Sequence, residues 1–438
     1  SSFDGPTELD RFKKELDAFL KHTQSQKYNG TSAPQIALVS PTAFEDLTKI
    51  QDTPNGVKEN KNLALYSRAM QEVAWANNVL FVDAFTESQN WIASNNDPIT
   101  QDGALLNAKG YQLFAPFLAD SVFGKSPAKA ATHRKAIHAA VNEKNWLWHN
   151  YYKIPNGVHV YARRFKPYGP QNYPDELIKA SEMTQVRDRA IWATNMGKSF
   201  DLAAADAKTH KLPAVPTNFT PSGKNGDPNY KSGSDTLADL HVPKGYKIEL
   251  FASETDFKNL ANPVQMSFDN KGRLWVACMP SYPHWRVGDP KPTDTLIILE
   301  DTDGDGKADK ETVFADDLHI PIGFELAPEG VYVSQSDSLV LLKDTDGDDK
   351  YDKKDYILSG FDDHDTHHAI SAFSADPSGA ILMGEGVFLH SNVDTAYGPV
   401  RGTNGGFMRY NPAKKQLERT AQLEIPNPWG IAFDDYGQ

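Results

Sequence analysis

Apolar and polar positions follow two different periods along the chain, and the change falls near residue 240. In residues 7–22, TELDRFKKELDAFLKH, the residues Leu9, Phe12, Leu16, Phe19 and Leu20 recur at helical spacing behind Thr7, which can cap the first turn. The apolar run QIALVSP at 35–41 predicts a strand, and a helical pattern covers about 63–77. VLFVDAF at 79–85 predicts a second strand, and a helix runs from Asn107 to about Val122. Strands alternating with helices imply a parallel α/β sheet. Residues 128–200 read as mostly helical and are rich in Trp and Tyr. Residues 211–235, KLPAVPTNFTPSGKNGDPNYKSGSD, are dominated by Pro, Gly, Ser and Asn and form the clearest boundary.

Beyond residue 240 the apolar runs shorten to strand length, and one pattern recurs. An apolar stretch ends in Phe, a short acidic or polar turn with Gly follows, and a second apolar run comes after it. The instances are VQMSFDNKGRLWVA (264–277), IGFELAPEGVYVS (322–334), AISAFSADPSGAILMG (369–384) and WGIAFDDYG (429–437). Their turn glycines, Gly272, Gly330, Gly379 and Gly437, are spaced 58, 49 and 58 residues apart. That is the spacing of propeller blades with loop insertions of varying length. A four-stranded blade cannot bury both faces alone, so blades stack radially. About four would fit before residue 438.

Length and composition narrow the class. The 438 residues suggest two or three domains, and 39% hydrophobic with 11% aromatic content marks globular chain. A net charge of −13 argues against a nucleic-acid surface, because no basic patch is dense enough to track phosphates. Cys278 is the sole cysteine, so no internal disulfide forms. No run of 18 apolar residues occurs, so no membrane span is expected. The chain opens with SSFDGPTELD, without Met or a signal peptide, and stops at FDDYGQ. Both ends read as cut from a longer protein.

Two acidic decapeptides carry the first chemistry. DTDGDGKADK begins at Asp301 and DTDGDDKYDK at Asp344, each behind an apolar strand, LIILE or LVLLK. Alternating carboxylates at Asp301, Asp303 and Asp305, the carbonyl of Lys307 and the side chain of Asp309 are oxygen donors of the kind a hard cation collects. The second copy offers Asp344, Asp346, Asp348, the carbonyl of Lys350 and Asp352, with Asp349 where the first has Gly306. Neither has a Glu at position 12, where Thr312 and Asp355 stand, so these are not EF-hands. The expectation is a structural Ca2+ in each loop; the alternative is a solvated acidic hairpin turn, since Asp-Gly is itself a hairpin signal. FDDHDTHHAIS at 361–371 concentrates Asp362, Asp363, His364, Asp365, His367 and His368. Read as a strand, the adjacent histidines point to opposite faces and cannot share one metal ion. Tyr282, His284 and Trp285 in PSYPHWR are either a pocket wall or loop packing. KNWLWHNYYKIPNGVHVYARRFKPYG, from Lys144, is either a sugar-stacking surface or an interdomain packing layer.

The segments VPKGYKIELFAS, LANPVQMSFDNKGRLWVA, PSYPHWR, LEDTDGDGKADKETVFADDLH, THHAISAF and NPWGIAFD occur in order over residues 242–438. Together they resemble the membrane-associated dehydrogenase-type propeller of planctomycete and verrucomicrobial proteins that end in a c-type haem domain. That propeller is similar to the six-bladed quinoprotein glucose and sorbosone dehydrogenases, which use pyrroloquinoline quinone (PQQ) and Ca2+. The resemblance implies that His368 is the base taking the substrate hydroxyl proton, a role that suits a neutral imidazole. It implies that Asn427, in PNPWG, contacts the quinone. Pro426 stands where the family has Arg, a residue that would hold an anionic cofactor. No CxxCH haem-attachment motif occurs in the 438 residues, so haem c is expected only in a longer parent protein.

Residues 1–125 resemble the C-terminal half of an SGNH/GDSL hydrolase. Its last catalytic block, Asp-x-x-His, reads here as DGALLNAKGYQLF, with Asp102 present and Leu105 in the histidine position. Leucine cannot relay a proton, so the resemblance implies a degenerate hydrolase without esterase activity.

The expected fold is therefore multidomain. An SGNH-like α/β half-domain (1–125) leads to a helical connector (126–210), a linker (211–240) and an incomplete six-bladed all-β propeller (241–438). The expected activity is oxidation of a sugar or polyol hydroxyl, with electrons leaving to a c-type cytochrome domain, in the periplasm or outside the cell. The competing class is a non-catalytic propeller that binds a polysaccharide-derived molecule or a protein.

Overall fold

The computed structural model describes residues 2–125, 132–153, 173–214, 231–282, 285–423, 425–434 and 436–437. They form two compact units. The first comprises 1–129 with 394–399 and 411–417, and the second comprises 130–393, 400–410 and 418–438.

In the first unit, β1 (Ala37–Val39) and β2 (Leu80–Val82) pair in parallel. Around them run α1 (Leu9–Ser25), α2 (Val57–Ala76), α3 (Ala84–Ser94) and α4 (Ala108–Phe123). The apolar stripe of α1 is buried in part: Leu20 is buried with Val73, Ala74 and Val79, and Leu16, Ile36, Leu38 and Phe81 pack against that cluster, whereas Phe19 of the expected stripe is exposed. Two expectations need correction. Thr7 does not cap α1, because a 3-10 turn over Ser2–Glu8 runs directly into the helix. The second strand does not reach residue 85. Asp83 accepts a hydrogen bond from the Thr86 amide at 3.0 Å and starts α3, so a side-chain cap overrides the apolar run.

The second unit begins with α5 (Arg134–Tyr152) and α6 (Tyr173–Asn195) and continues as antiparallel sheet. Its first sheet holds β3 (Pro263–Phe268), β4 (Leu274–Cys278), β5 (Asp294–Glu300) and β6 (Lys310–Leu318) in chain order. The second holds β7 (Phe324–Ala327), β8 (Gly330–Gln335), β9 (Ser338–Lys343) and β10 (Lys353–Ser359). In the third, β11 (Ser371–Ala375) and β12 (Ile381–Glu385) come first; the chain then forms a separate two-stranded sheet, β13 (Asn392–Thr395) and β14 (Gly398–Arg401), whose residues 394–399 belong to the first unit. β15 (Gly406–Asn411) and β16 (Gln416–Ala421) then complete the third sheet. The recurrent sequence pattern is the first hairpin of each sheet, and Gly272 and Gly379 adopt φ of 78° and 81° in its turn. The fourth instance, WGIAFDDYG, forms no strand among the described residues. A strand is stable only against a partner, and none pairs with it among the described residues.

The sheets stack through apolar faces. Trp275, Leu296, Ile298 and Phe314 of the first pack on Phe324, Val333, Val340 and Leu342 of the second. Gln265 of β3 ties the first strands of all three sheets together. Its Nε2 donates to the carbonyls of Phe324 (2.8 Å) and Phe373 (3.3 Å), and its Oε1 accepts from the amides of the same residues (3.3 and 3.4 Å). No helix among the described residues is long and apolar enough to cross a membrane.

Candidate functional site

The densest chemistry sits just before β11. Thr366–His368 forms a 3-10 turn directly after Asp365, and the His368 amide donates to the Asp365 carbonyl at 2.9 Å. This corrects the strand reading of the two histidines. In a 3-10 turn consecutive side chains do not alternate faces, and the two rings lie with centroids 4.1 Å apart. Asp365 bridges them: its Oδ1 is 2.8 Å from His367 Nδ1 and its Oδ2 is 3.3 Å from His368 Nδ1.

His368 is buried, and each ring nitrogen faces an oxygen. Nδ1 lies 2.8 Å from the Val387 carbonyl and Nε2 lies 2.5 Å from Asn427 Oδ1. The two residues singled out by the family resemblance are thus in direct contact, 59 positions apart in sequence. Backbone contacts hold Asn427 there. The Val387 amide donates to the Pro426 carbonyl (3.1 Å), and the Ser371 hydroxyl donates to the Pro428 carbonyl (3.4 Å). Gly386 is required for the approach of the ring, because a Cβ on it would stand 2.5 Å from His368 Cγ.

Aromatic residues line this centre. Trp429 lies nearly parallel to the His367 ring, with centroids 6.3 Å apart, and Tyr282 meets His367 edge-on at 6.3 Å. Phe388 lies 5.7 Å from His368 and holds φ of 76°. A left-handed backbone is strained for so large a residue, and such strain collects at functional sites. The other PSYPHWR residues diverge. Trp285 packs on Trp146 at 4.7 Å, and His284 lies outside the described residues. Tyr151 and Trp148 of the KNWLWHNYY stretch stack on each other at 5.0 Å, while its residues 154–169 lie outside the described ones.

Further carboxylates adjoin the site, Asp362 half-buried and Asp363 and Glu385 buried. Asp362 accepts from the amides of His364 (2.9 Å) and His390 (2.7 Å). Burial pushes the Asp363 and Glu385 carboxyls up to about 7 each. Glu385 takes a short hydrogen bond from the Ser391 hydroxyl. The cations that bear on these acids are already engaged. Lys153 binds Asp337 and the Phe361 carbonyl, both at 2.9 Å, and Arg419 donates to the carbonyls of Arg401 (3.3 Å) and Thr403 (3.1 Å). A tricarboxylate quinone needs positive partners, so these described residues fit PQQ poorly.

The acidic decapeptides are the hairpin loops joining the third and fourth strands of the first two sheets. Asp301 accepts from the amides of Gly304 (2.7 Å) and Gly306 (2.9 Å), and Asp305 accepts from Lys307 (2.8 Å). Asp344 likewise accepts from Gly347 (2.6 Å) and Asp349 (3.0 Å), and Asp348 accepts from Lys350 (2.9 Å). Asp309 and Asp352 close their loops on the hydroxyls of Thr302 (2.8 Å) and Thr345 (2.7 Å). Carboxylate oxygens of Asp301, Asp303 and Asp309 gather within 4.8 Å, as do those of Asp344, Asp346 and Asp348. Asp305 and Asp352 stand outside those triplets. The loops match despite Asp349 in place of Gly306. Asp349 takes the same left-handed conformation, with φ of 62° against 87°, and its carboxylate pairs with Arg273 at 2.8 Å. Repulsion from Asp348 raises the Asp346 carboxyl above its ordinary value.

In the first unit, buried Asp102 accepts hydrogen bonds from the amides of Ala104 (2.9 Å) and Leu105 (2.7 Å). Its carboxylate closes its own loop, and burial raises its protonation range.

Residues 232–438 match the model of a domain of unknown function, DUF7133. No curated protein matches the chain. Among solved structures, a luciferin-regenerating enzyme is similar at 14% identity and a TM-score of 0.28, over 41% of this chain and 52% of that one. A protein assigned as a gluconolactonase candidate is similar at 16% identity and a TM-score of 0.21, over 35% of this chain and 50% of that one. The chain thus spans about half the length of each. At these scores neither likeness fixes fold or activity.

Proposed function

We propose that the second unit is the blade-built part of a propeller, six-bladed when closed, and that its His368 centre acts on a hydroxyl of a sugar or polyol. The contact between His368 Nε2 and Asn427 Oδ1 carries this reading. The Val387 carbonyl and Asp365 face Nδ1, so the Nδ1 proton is the one a neutral ring retains and the lone pair lies on Nε2, which pairs with Asn427 once its amide is turned to present the NH2 in place of the oxygen. Asn427 is exposed and gives way to a substrate hydroxyl, whose proton His368 takes. Trp429 and Tyr282 offer apolar faces to the sugar ring. The reaction class is alcohol oxidation, in which the hydroxyl proton goes to His368 and the carbinol hydride would go to a two-electron acceptor of the quinone class supplied from outside these residues, which would pass electrons singly to an acceptor such as a c-type cytochrome domain. Because the surroundings suit a tricarboxylate poorly, no step is assigned to PQQ. Ca2+ in the two acidic loops is structural in this reading, and the first unit is a hydrolase fold without esterase activity. Action on sugars outside the cytoplasm, in the periplasm or beyond, belongs to the same proposal.

The test is dye reduction by the full-length protein across a panel of sugars and polyols, with and without added PQQ and Ca2+. Substrate-dependent reduction that falls by roughly 100-fold or more in His368→Ala supports the reading. A second reading, a non-catalytic carbohydrate-binding propeller, is favoured by Pro426 in place of a cofactor-holding Arg. Saturable sugar binding without dye reduction under any condition would select it.

A further inference from the structure

We propose that Asp365, His367 and His368, completed by the Val387 carbonyl, form a site for a divalent first-row transition ion. The donor atoms converge on one point, and two of the three separations, now at hydrogen-bond distance, would open by a few tenths of an ångström around an ion. Asp365 Oδ1 to His367 Nδ1 is 2.8 Å, Asp365 Oδ2 to His368 Nδ1 is 3.3 Å, and His368 Nδ1 to the Val387 oxygen is 2.8 Å. With metal–donor bonds of about 2.1 Å, neighbouring donors stand roughly 3.0–3.4 Å apart in octahedral or tetrahedral geometry. The three side chains contribute donors that all lie within 4.8 Å of one another.

Proton counting on His368 points the same way. Its Nδ1 faces two oxygens and its Nε2 faces a third, Asn427 Oδ1. A neutral imidazole has one N–H to offer. A metal on Nδ1 resolves this, because the ring then keeps its proton on Nε2 and donates it to Asn427. Asp365 and His368 are buried, so the site is dry on one side. His367 keeps 21% of its side chain exposed, which leaves a route for entry and an open position. Two imidazoles and one carboxylate select a borderline ion such as Zn2+, Fe2+ or Co2+, whereas the all-oxygen loops at Asp301 and Asp344 suit Ca2+. The site stands independently of the oxidation reading, and its occupation has a consequence for it. Loading turns His368 from a proton acceptor at Nε2 into a donor.

The experiment is a Co2+ titration of the full-length protein in excess Ca2+, followed by visible ligand-field absorption and by equilibrium dialysis. One equivalent of Co2+ with nitrogen-ligand bands is expected. Its affinity should fall at least tenfold in His367→Ala and in Asp365→Asn and stay unchanged in Asp301→Asn and Asp344→Asn. Circular dichroism and Tm check that each variant is folded, and His367→Ala, altering a partly exposed side chain, keeps the test decisive should Asp365→Asn unfold. Absence of Co2+ binding, or binding that His367→Ala leaves intact, would overturn the proposal.

Discussion

At the scale of single residues, the site depends on contacts that tolerate little change. Gly386 leaves room for the His368 ring, and a methyl group there would overlap it. Gly386→Ala is expected to displace the ring, lower dye reduction at least tenfold, and cost about 1–3 kcal/mol in urea unfolding. Glu385 makes a different prediction. Burial pushes its carboxyl up to about 7 in the folded protein, against an ordinary 4.5. Between those values the folded state holds more protons than the unfolded one, so stability is highest below about 4.5 and falls as pH rises toward 7. The share due to this residue is about 3 kcal/mol by the raised carboxyl alone. Glu385→Gln keeps a partner for Ser391 and removes that share. The variant should lose less stability between pH 4.5 and 7 than the parent, leaving the part due to Asp363. A pH dependence identical to the parent's would contradict the assignment.

At the scale of elements, Gln265 is the hub of the sheet packing. Each first strand is short, and this one amide satisfies backbone groups on two neighbouring strands at once. Gln265→Ala is expected to cost about 1–3 kcal/mol, because it orphans buried polar groups on β7 and β11. Unfolding midpoints in urea would measure it. The acidic loops make the complementary case. Their backbone hydrogen bonds hold the turn, while like charges at Asp346 and Asp348 remain close. Ca2+ at about 100 times its Kd should raise stability by about 2.7 kcal/mol per loop. The rise should shrink in Asp344→Asn, and a Tm indifferent to Ca2+ would leave both loops as plain hairpin turns. These elements were largely legible in the sequence. A turn glycine between two apolar runs marks a hairpin locally, which is why Gly272, Gly330 and Gly379 located the first hairpin of each sheet. The same pattern at 429–437 failed because pairing needs a partner strand, which a local pattern does not reveal. The histidine pair was misread for a related reason: whether THH is strand or 3-10 turn depends on Asp365 and the following β11, not on its own polarity.

At the scale of the whole molecule, one unit carries a short parallel strand pair flanked by helices, and the other carries, among the described residues, three four-stranded antiparallel sheets. The change of hydrophobic period near residue 240 was readable because helices and strands bury different faces. The site was readable only in part. His368 and Asn427 came from a resemblance, whereas their contact depends on the 426–428 segment returning to β11 and β12. Nothing in the sequence signalled the left-handed Phe388 or the buried Glu385, since backbone strain and carboxyl environment arise only on folding.

The central claim is that His368 keeps its proton on Nδ1 and presents Nε2 to a substrate hydroxyl. Nitrogen-15 NMR of the full-length, chelator-treated protein, labelled at histidine and titrated with the sugar panel, tests it most directly. The expected result is an Nδ1–H tautomer for His368 whose Nε2 resonance shifts saturably with one class of sugar or polyol, and not in the spectrum of Asn427→Ala without ligand. An Nε2–H tautomer, or an Nε2 resonance unmoved by every compound in the panel, would contradict it.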